Sequence, residues 1–251
     1  MNNEMKLLID LHLDADRLGP GRTMDTEKAF TLTDLSPKKP LRAADIGCGT
    51  GASTLELARI SHAQIKAFDV FPAFLSTLER KSQQMGFTDR IECIEASMEA
   101  LPLENTSLDL IWSEGAIYIM GFEKGLKAWR QFLKPGGFLC VSELSWSTSN
   151  RPKEIEDYWQ NNYPEIANVS EKLRRLELCG FAPKAFFMLP TESWLQAYYE
   201  PLQKRFPAFL DRHGHSSEAK ALVETEQKEI RLYQKYGQYF SYGFYIAQKT
   251  D

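Results

Sequence analysis

Ala44-Asp45-Ile46-Gly47-Cys48-Gly49-Thr50-Gly51 is the stretch that decides the fold. Leu41 to Ile46 is a short, mostly apolar run and reads as a buried strand. Glycines at alternate positions, Gly47, Gly49 and Gly51, then call for a tight turn, and a helix begins near Ala52. Such a turn needs backbone angles that side chains resist, and it lets a ligand approach the main chain closely. The spacing is not the G-x-G-x-x-G of nicotinamide-dependent enzymes.

A second element answers the first. Gln64 to Asp69 reads as a strand ending in an acid, and Asp69 stands 18 positions after Gly51. Doubly wound folds hold ribose hydroxyls with a carboxylate at about 20 positions, and one carboxylate can accept from both hydroxyls. A purely structural turn with a solvated strand end is the competing reading. Acids at both Asp45 and Asp69 weigh against it.

The totals narrow the class. The 251 residues suit one domain with insertions, and 43% hydrophobic with 25% charged residues is ordinary for a globular chain. A net charge of −4 disfavours nucleic acid as a partner, which asks for a basic face. Cys48, Cys93, Cys140 and Cys179 form no C-x-x-C pair and read as free thiols in a reducing compartment. The sequence shows no leader pattern and no apolar run of about 18 residues. The expectation is a cytoplasmic protein with no membrane span, and a homodimer is allowed.

Strands and helices alternate along the chain. Strands are expected at Leu41–Ile46, Ile65–Asp69, Ile91–Glu95, Leu108–Trp112, Phe138–Leu144, Ala185–Leu189 and Ser241–Lys249. Helices are expected at Ala52–Ile60, Phe71–Met85, Phe122–Leu133 and Val169–Leu178, with a turn at Lys134 to Gly137. This is an α/β pattern: a doubly wound, mostly parallel seven-stranded sheet covered on both faces. Residues 1–40 form an N-terminal helical segment, with short helices at Met5–Leu11 and Lys28–Leu35. Residues 41–251 form the main domain, with a helical insertion at about 190–240 that breaks near Phe206-Pro207 and at His213-Gly214-His215.

The glycine turn resembles motif I of the class I S-adenosylmethionine-dependent methyltransferases. Ser107 to Ile111, Trp112 to Ala116 and Leu133 to Gly137 resemble that family's approach to strand four, the loop after it and the turn before strand five. The variant Ser113 to Tyr118, with the aromatic C-terminal extension, is most similar to small-molecule enzymes of the ubiquinone/menaquinone-biosynthesis-like group. The resemblance implies a Rossmann-like methyltransferase fold, S-adenosylmethionine as cofactor and methyl transfer to a small-molecule acceptor. It implies that Asp45, Gly47, Cys48, Gly49 and Gly51 hold the amino-acid part of the cofactor. Asp69 and Val70 would hold the ribose, Ser97 and Met98 the adenine, and Glu114 and Gly115 the methionine end. Ser97 stands where many members carry Asp, so a hydroxyl would replace a carboxylate there.

The residues leave the catalytic group open. Glu114 is a candidate for either the cofactor ammonium or a general base, and Tyr118 for packing or catalysis. Trp146 is a candidate for the acceptor side, and Arg17 to Gly21 for a segment reaching back over the cofactor. Trp194, Tyr198 and Tyr199 read as helix packing or as a pocket wall. His213 and His215 read as a surface turn rather than a metal site, and Glu218 to Arg231 as a solvated helix face. Other functions weighed are a non-catalytic cofactor-binding module, a protein or nucleic-acid methyltransferase and a nicotinamide oxidoreductase.

Overall fold

Five strands run parallel in the centre of the sheet. They are β1 (Pro40–Ile46), β2 (His62–Asp69), β3 (Ile91–Glu95), β4 (Leu108–Glu114) and β5 (Leu133–Trp146). Two antiparallel pairings finish the sheet, β8 (Phe240–Lys249) on β5 and β7 (Phe181–Met188) on β8. A computed structural model describes residues 3–251. The strand order is β3-β2-β1-β4-β5-β8-β7, and the two-residue β6 (Ala167–Asn168) pairs with the end of β5. The seven-stranded expectation therefore corresponds to the main path, with β6 beside it.

The order reverses between β1 and β4, which opens a crevice beyond their carboxyl ends. Helices α3 (Ala52–Ile60), α4 (Pro72–Met85), α5 (Phe122–Arg130) and α7 (Val169–Leu178) cover the sheet. Leu57, Leu78 and Trp112 pack in the core on one face, and Phe122, Trp129 and Leu139 in the core on the other. A third core lies among α1 (Asn3–His12), α6 (Lys153–Asn162), α8 (Thr191–Trp194), α9 (Glu200–Arg212) and α10 (Ser217–Tyr236). There Leu7 and Leu11 meet Leu202, Phe209 and Ile230. This helical cap sits over the carboxyl ends of the strands.

Four elements differ from expectation. Helix α2 is Thr23–Thr31, not Lys28–Leu35. Asp25 accepts the backbone N–H of Arg22 at 3.0 Å, which starts the helix early, and Asp34 takes a left-handed φ of 57°, which ends the path before Leu35. The turn at Lys134 to Gly137 is a bulge within β5, where the register against β4 slips between Leu108 and Leu110. Strand β7 begins at Phe181, and its Pro183 is tolerated because β7 is an edge strand whose register shifts there. Pro207 lies inside α9 without breaking it. Phe206 and Phe209, 5% and 0% exposed, anchor both sides of the proline, and that packing outweighs the hydrogen bond it cannot donate.

Candidate functional site

The glycine turn leaves β1 with all three glycines at positive φ, 73°, 54° and 90°. Two of them have no room for a side chain. A Cβ on Gly47 would lie 2.5 Å from Ala116 Cβ, and one on Gly51 would lie 2.2 Å from Leu78 Cδ1. The backbone N–H groups of Gly47 and Cys48 both donate to the carbonyl of Phe68, at 2.8 and 3.0 Å. Asp69, at the end of β2, accepts from Gly49 N at 2.9 Å and from Phe71 N at 3.0 Å. Burial raises its carboxyl above the usual range, against those backbone N–H groups. A carboxylate has about four acceptor positions, so capacity for a ligand remains beside these backbone donors.

Asp45 lies beneath the turn. It is fully buried, and its Oδ2 accepts from Ser53 Oγ and Thr54 Oγ1, both at 2.7 Å. Burial pushes its carboxyl up to about 7, partly offset by those two hydroxyls. It binds the first turn of α3 and does not line the cavity.

The segment between α1 and α2 lies across the site. Thr50 Oγ1 donates to the carbonyl of Ala15 at 2.9 Å, and the Leu18 side chain rests on Gly49. Arg17 forms an ion pair with Glu114, their side chains 13% and 9% exposed. Glu114 Oε1 also accepts from Thr26 Oγ1 at 2.7 Å and Trp112 Nε1 at 2.9 Å. Gly21 N donates to Ser193 O at 3.1 Å, tying the strap to α8.

Beneath the strap is a cavity of about 540 Å³. Its outer end is lined by Gly47, Cys48, Gly49, Asp69, Val70, Met98 and Gly115, and Glu114 and Tyr118 line it further in. Gly51 and Ser97 do not line it. Gly51 faces Leu78, and Ser97 Oγ accepts the N–H of Glu99 at 3.2 Å, within its own turn. Trp146 is 4% exposed against Phe240 and belongs to the cap core. Trp194 and Tyr198 line the cavity, whereas Tyr199 lies behind it and donates to Glu229 at 2.9 Å. His213 meets Asp10 and His215 meets Asp211, each at 3.0 Å, on the turn between α9 and α10.

The inner end holds groups the sequence reading passed over: His12, Tyr158, Tyr163, Tyr242, Glu226 and Glu229. The expectation of a solvated face over Glu218 to Arg231 is corrected here. Glu226 and Glu229 share a helix face with Val223, Ile230 and Tyr233, all buried. Glu226, Glu229, Ile230 and Tyr233 stand at i, i+3, i+4 and i+7, with Val223 three positions before, and this spacing was the available signal, hidden by the many charges around it.

A family model described as a methyltransferase domain matches residues 44–141, from β1 into β5. Residues 44–141 are thus similar to known methyltransferase domains. The chain is 32% identical over 127 residues to the malonyl-acyl-carrier-protein O-methyltransferase of Methylovorus sp. (strain MP688), covering 49% of this chain and 43% of that protein. It is 27% identical over 146 residues to the ubiquinone/menaquinone biosynthesis C-methyltransferase of Pasteurella multocida, covering 57% of this chain and 54% of that one. The chain thus spans about half the length of these relatives. It also superposes on a SAM-dependent methyltransferase of Geobacter sulfurreducens, crystallised with S-adenosyl-L-homocysteine, with a TM-score of 0.85 and 16% identity. That alignment covers 97% of this chain and 98% of the other, so the fold likeness takes in the helical cap as well as the sheet.

Proposed function

We propose that the chain is an S-adenosylmethionine-dependent methyltransferase that methylates a small-molecule acceptor by direct in-line displacement. One observation carries this reading. A single cavity runs from a glycine cradle with an accepting carboxylate to a chamber lined by aromatic side chains. The cradle fits the cofactor, since a Cβ would fill the space at Gly47 and Asp69 keeps acceptor capacity. When bound, S-adenosylmethionine supplies a methyl group made electrophilic by its sulfonium.

The chain's own residues do the rest. Asp69 accepts from the ribose hydroxyls while its backbone donors fix its orientation. Met98 offers an apolar surface to the adenine ring. Glu114, already holding Arg17, Thr26 and Trp112, serves as the anchor of the strap over the methionine end rather than as a base. Tyr118 stands at the junction of the two ends and meets Tyr163 edge-on, with centroids 5.9 Å apart, which suits it to orienting the acceptor. Leu18, Gly19 and Pro20 exclude water from above. Alignment of the reacting atoms at about 3–3.5 Å can contribute roughly 7–11 kcal/mol toward the barrier.

The reading is tested by calorimetric titration of S-adenosylmethionine into the wild type and into Asp69→Ala. Loss of a charge-assisted hydrogen bond costs about 1.5–3 kcal/mol, so at least roughly tenfold weaker binding is expected. Equal affinity in the two proteins removes Asp69 from the ribose site. No binding to the wild type removes the function.

A further inference from the structure

We infer that the inner chamber accepts a small molecule with a basic nitrogen, so that the enzyme methylates an amine. The inference rests on the methyltransferase reading and deepens it. Glu226 and Glu229 stand one turn apart on α10 and both line the chamber. Among the described residues no lysine, arginine or histidine forms an ion pair with either. Glu229 has one protein donor, Tyr199 at 2.9 Å. The pair is therefore two neighbouring carboxyl groups without a cation of their own, and burial raises both above their usual range, so that a bound cation would favour their ionised form.

The surrounding walls suit the same ligand. Tyr118, Tyr158, Tyr198 and Tyr242 line the chamber, and tyrosine faces attract a cation within about 6 Å. Two further groups on the wall await a partner. His12 Nδ1 and Trp159 Nε1 bond to no protein group, in side chains 7% and 8% exposed; a neutral His12 can accept from an ammonium, whereas the Trp159 N–H only donates and would need an acceptor atom elsewhere on the ligand. His12 lies flat against Tyr198, with centroids 6.5 Å apart and planes 11° from parallel. Burial, with Arg205 nearby, pushes its imidazole down to about 4, so it is neutral and adds no positive charge. An anionic acceptor meets repulsion from any ionised carboxylate here, and a neutral one gains no charge-assisted contact from the pair.

The chemistry balances. A nitrogen that arrives as an ammonium gives one proton to the carboxylate of Glu226. Its freed lone pair forms the new N–C bond with the methyl of the sulfonium donor. The C–S bond breaks, and its electron pair remains on sulfur as a thioether. Burial and the neighbouring Glu229 push Glu226 up to about 7, a range in which a carboxylate exchanges protons near neutrality.

Three probes of one size test the idea on the full chain saturated with S-adenosylhomocysteine: 2-phenylethylamine, 2-phenylethanol and phenylacetate. Calorimetry should show the amine binding at least about tenfold more tightly than either of the others. The Glu226→Gln/Glu229→Gln variant should erase that preference while keeping its S-adenosylhomocysteine affinity. Its melting temperature should hold or rise, because a like-charge pair is gone. Equal or tighter binding of the alcohol or the acid overturns the inference. So does an unchanged amine preference in the variant, or no amine binding by a protein that takes S-adenosylhomocysteine normally. A chain that binds the amine selectively but no S-adenosylhomocysteine overturns the function and leaves the amine site standing.

Discussion

Gly51 shows how tightly one position is specified. Its φ of 90° disfavours any side chain, and a Cβ would collide with Leu78 Cδ1. Strain of the first kind costs about 1–3 kcal/mol, and the collision adds to it. Gly51→Ala should therefore lower stability in urea unfolding by more than about 2 kcal/mol. Adding Leu78→Ala should relieve the collision and leave the backbone strain, so the two changes will not add. Simple additivity of the two losses rules this account out. His12 offers a pH test. Its folded value of about 4 lies below the unfolded value of 6.5, so the native state prefers it neutral. Its contribution is complete above about 6.5 and drains away as pH falls toward 4, at about 1.4 kcal/mol per unit. The stability gap between wild type and His12→Phe should then shift by on the order of 2 kcal/mol in favour of the variant between pH 7 and pH 5. A gap that does not change with pH means that His12 titrates normally.

Helices and strands were legible where their ends carry local signals. Helix α3 follows Gly51, α4 closes on left-handed Gly86, and α7 ends at Cys179 just before left-handed Gly180. The interior of the sheet was legible from apolar runs such as Leu110 to Trp112. Tertiary packing decided the rest. Pro207 stays helical because its neighbours are buried, and α2 starts where Asp25 meets Arg22, a contact that composition does not announce. The candidate cofactor end could be read for the same reason as α3, since it is one contiguous turn. The candidate acceptor end was legible only at Tyr118, Trp194 and Tyr198, because its other groups, His12, Tyr163, Glu229 and Tyr242, come from four distant stretches. A similar long-range device joins α7 to β5. Lys172 and Glu143 pair at 3.3 Å with both side chains 0% exposed, and Lys172 lies 4.5 Å over the Phe122 ring. Removing one partner of a buried pair typically costs about 3–5 kcal/mol, whereas replacing both with apolar groups is often neutral. Lys172→Met should unfold at markedly lower urea, and Lys172→Met/Glu143→Leu should recover most of the loss. A double variant as weak as the single one contradicts that.

The strap, the cap and the sheet line one cavity that stays partly open beside Val70, Tyr118 and Ile119, so the strap bears on how long a ligand stays. Leu18 to Pro20 cover the cradle, and the strap is held at Ala15 to Thr50, Arg17 to Glu114, and Gly21 to Ser193, besides an exposed Asp16 to Lys81 ion pair at 3.4 Å. The middle tie is the strongest, because both charges are largely shielded from water and Arg17 also donates to Thr26 at 3.2 Å. The outer two rest on backbone groups and survive any substitution at Arg17. Cutting the middle tie should therefore loosen the strap without unfolding it. Arg17→Ala also leaves Glu114 with only neutral donors, which weakens the anchor as well as the cover. S-adenosylhomocysteine should leave Arg17→Ala at least about tenfold faster than wild type in stopped-flow displacement, with a smaller change in its association rate. Arg17→Lys should fall between them, since a single ammonium cannot reach Glu114 and Thr26 as a fork does. Amide exchange at residues 13–22 should slow on ligand binding in wild type and much less in Arg17→Ala. An unchanged dissociation rate in Arg17→Ala, with exchange still slowed by ligand, means that the remaining ties hold the strap and that the ligand leaves by the open side of the cavity instead.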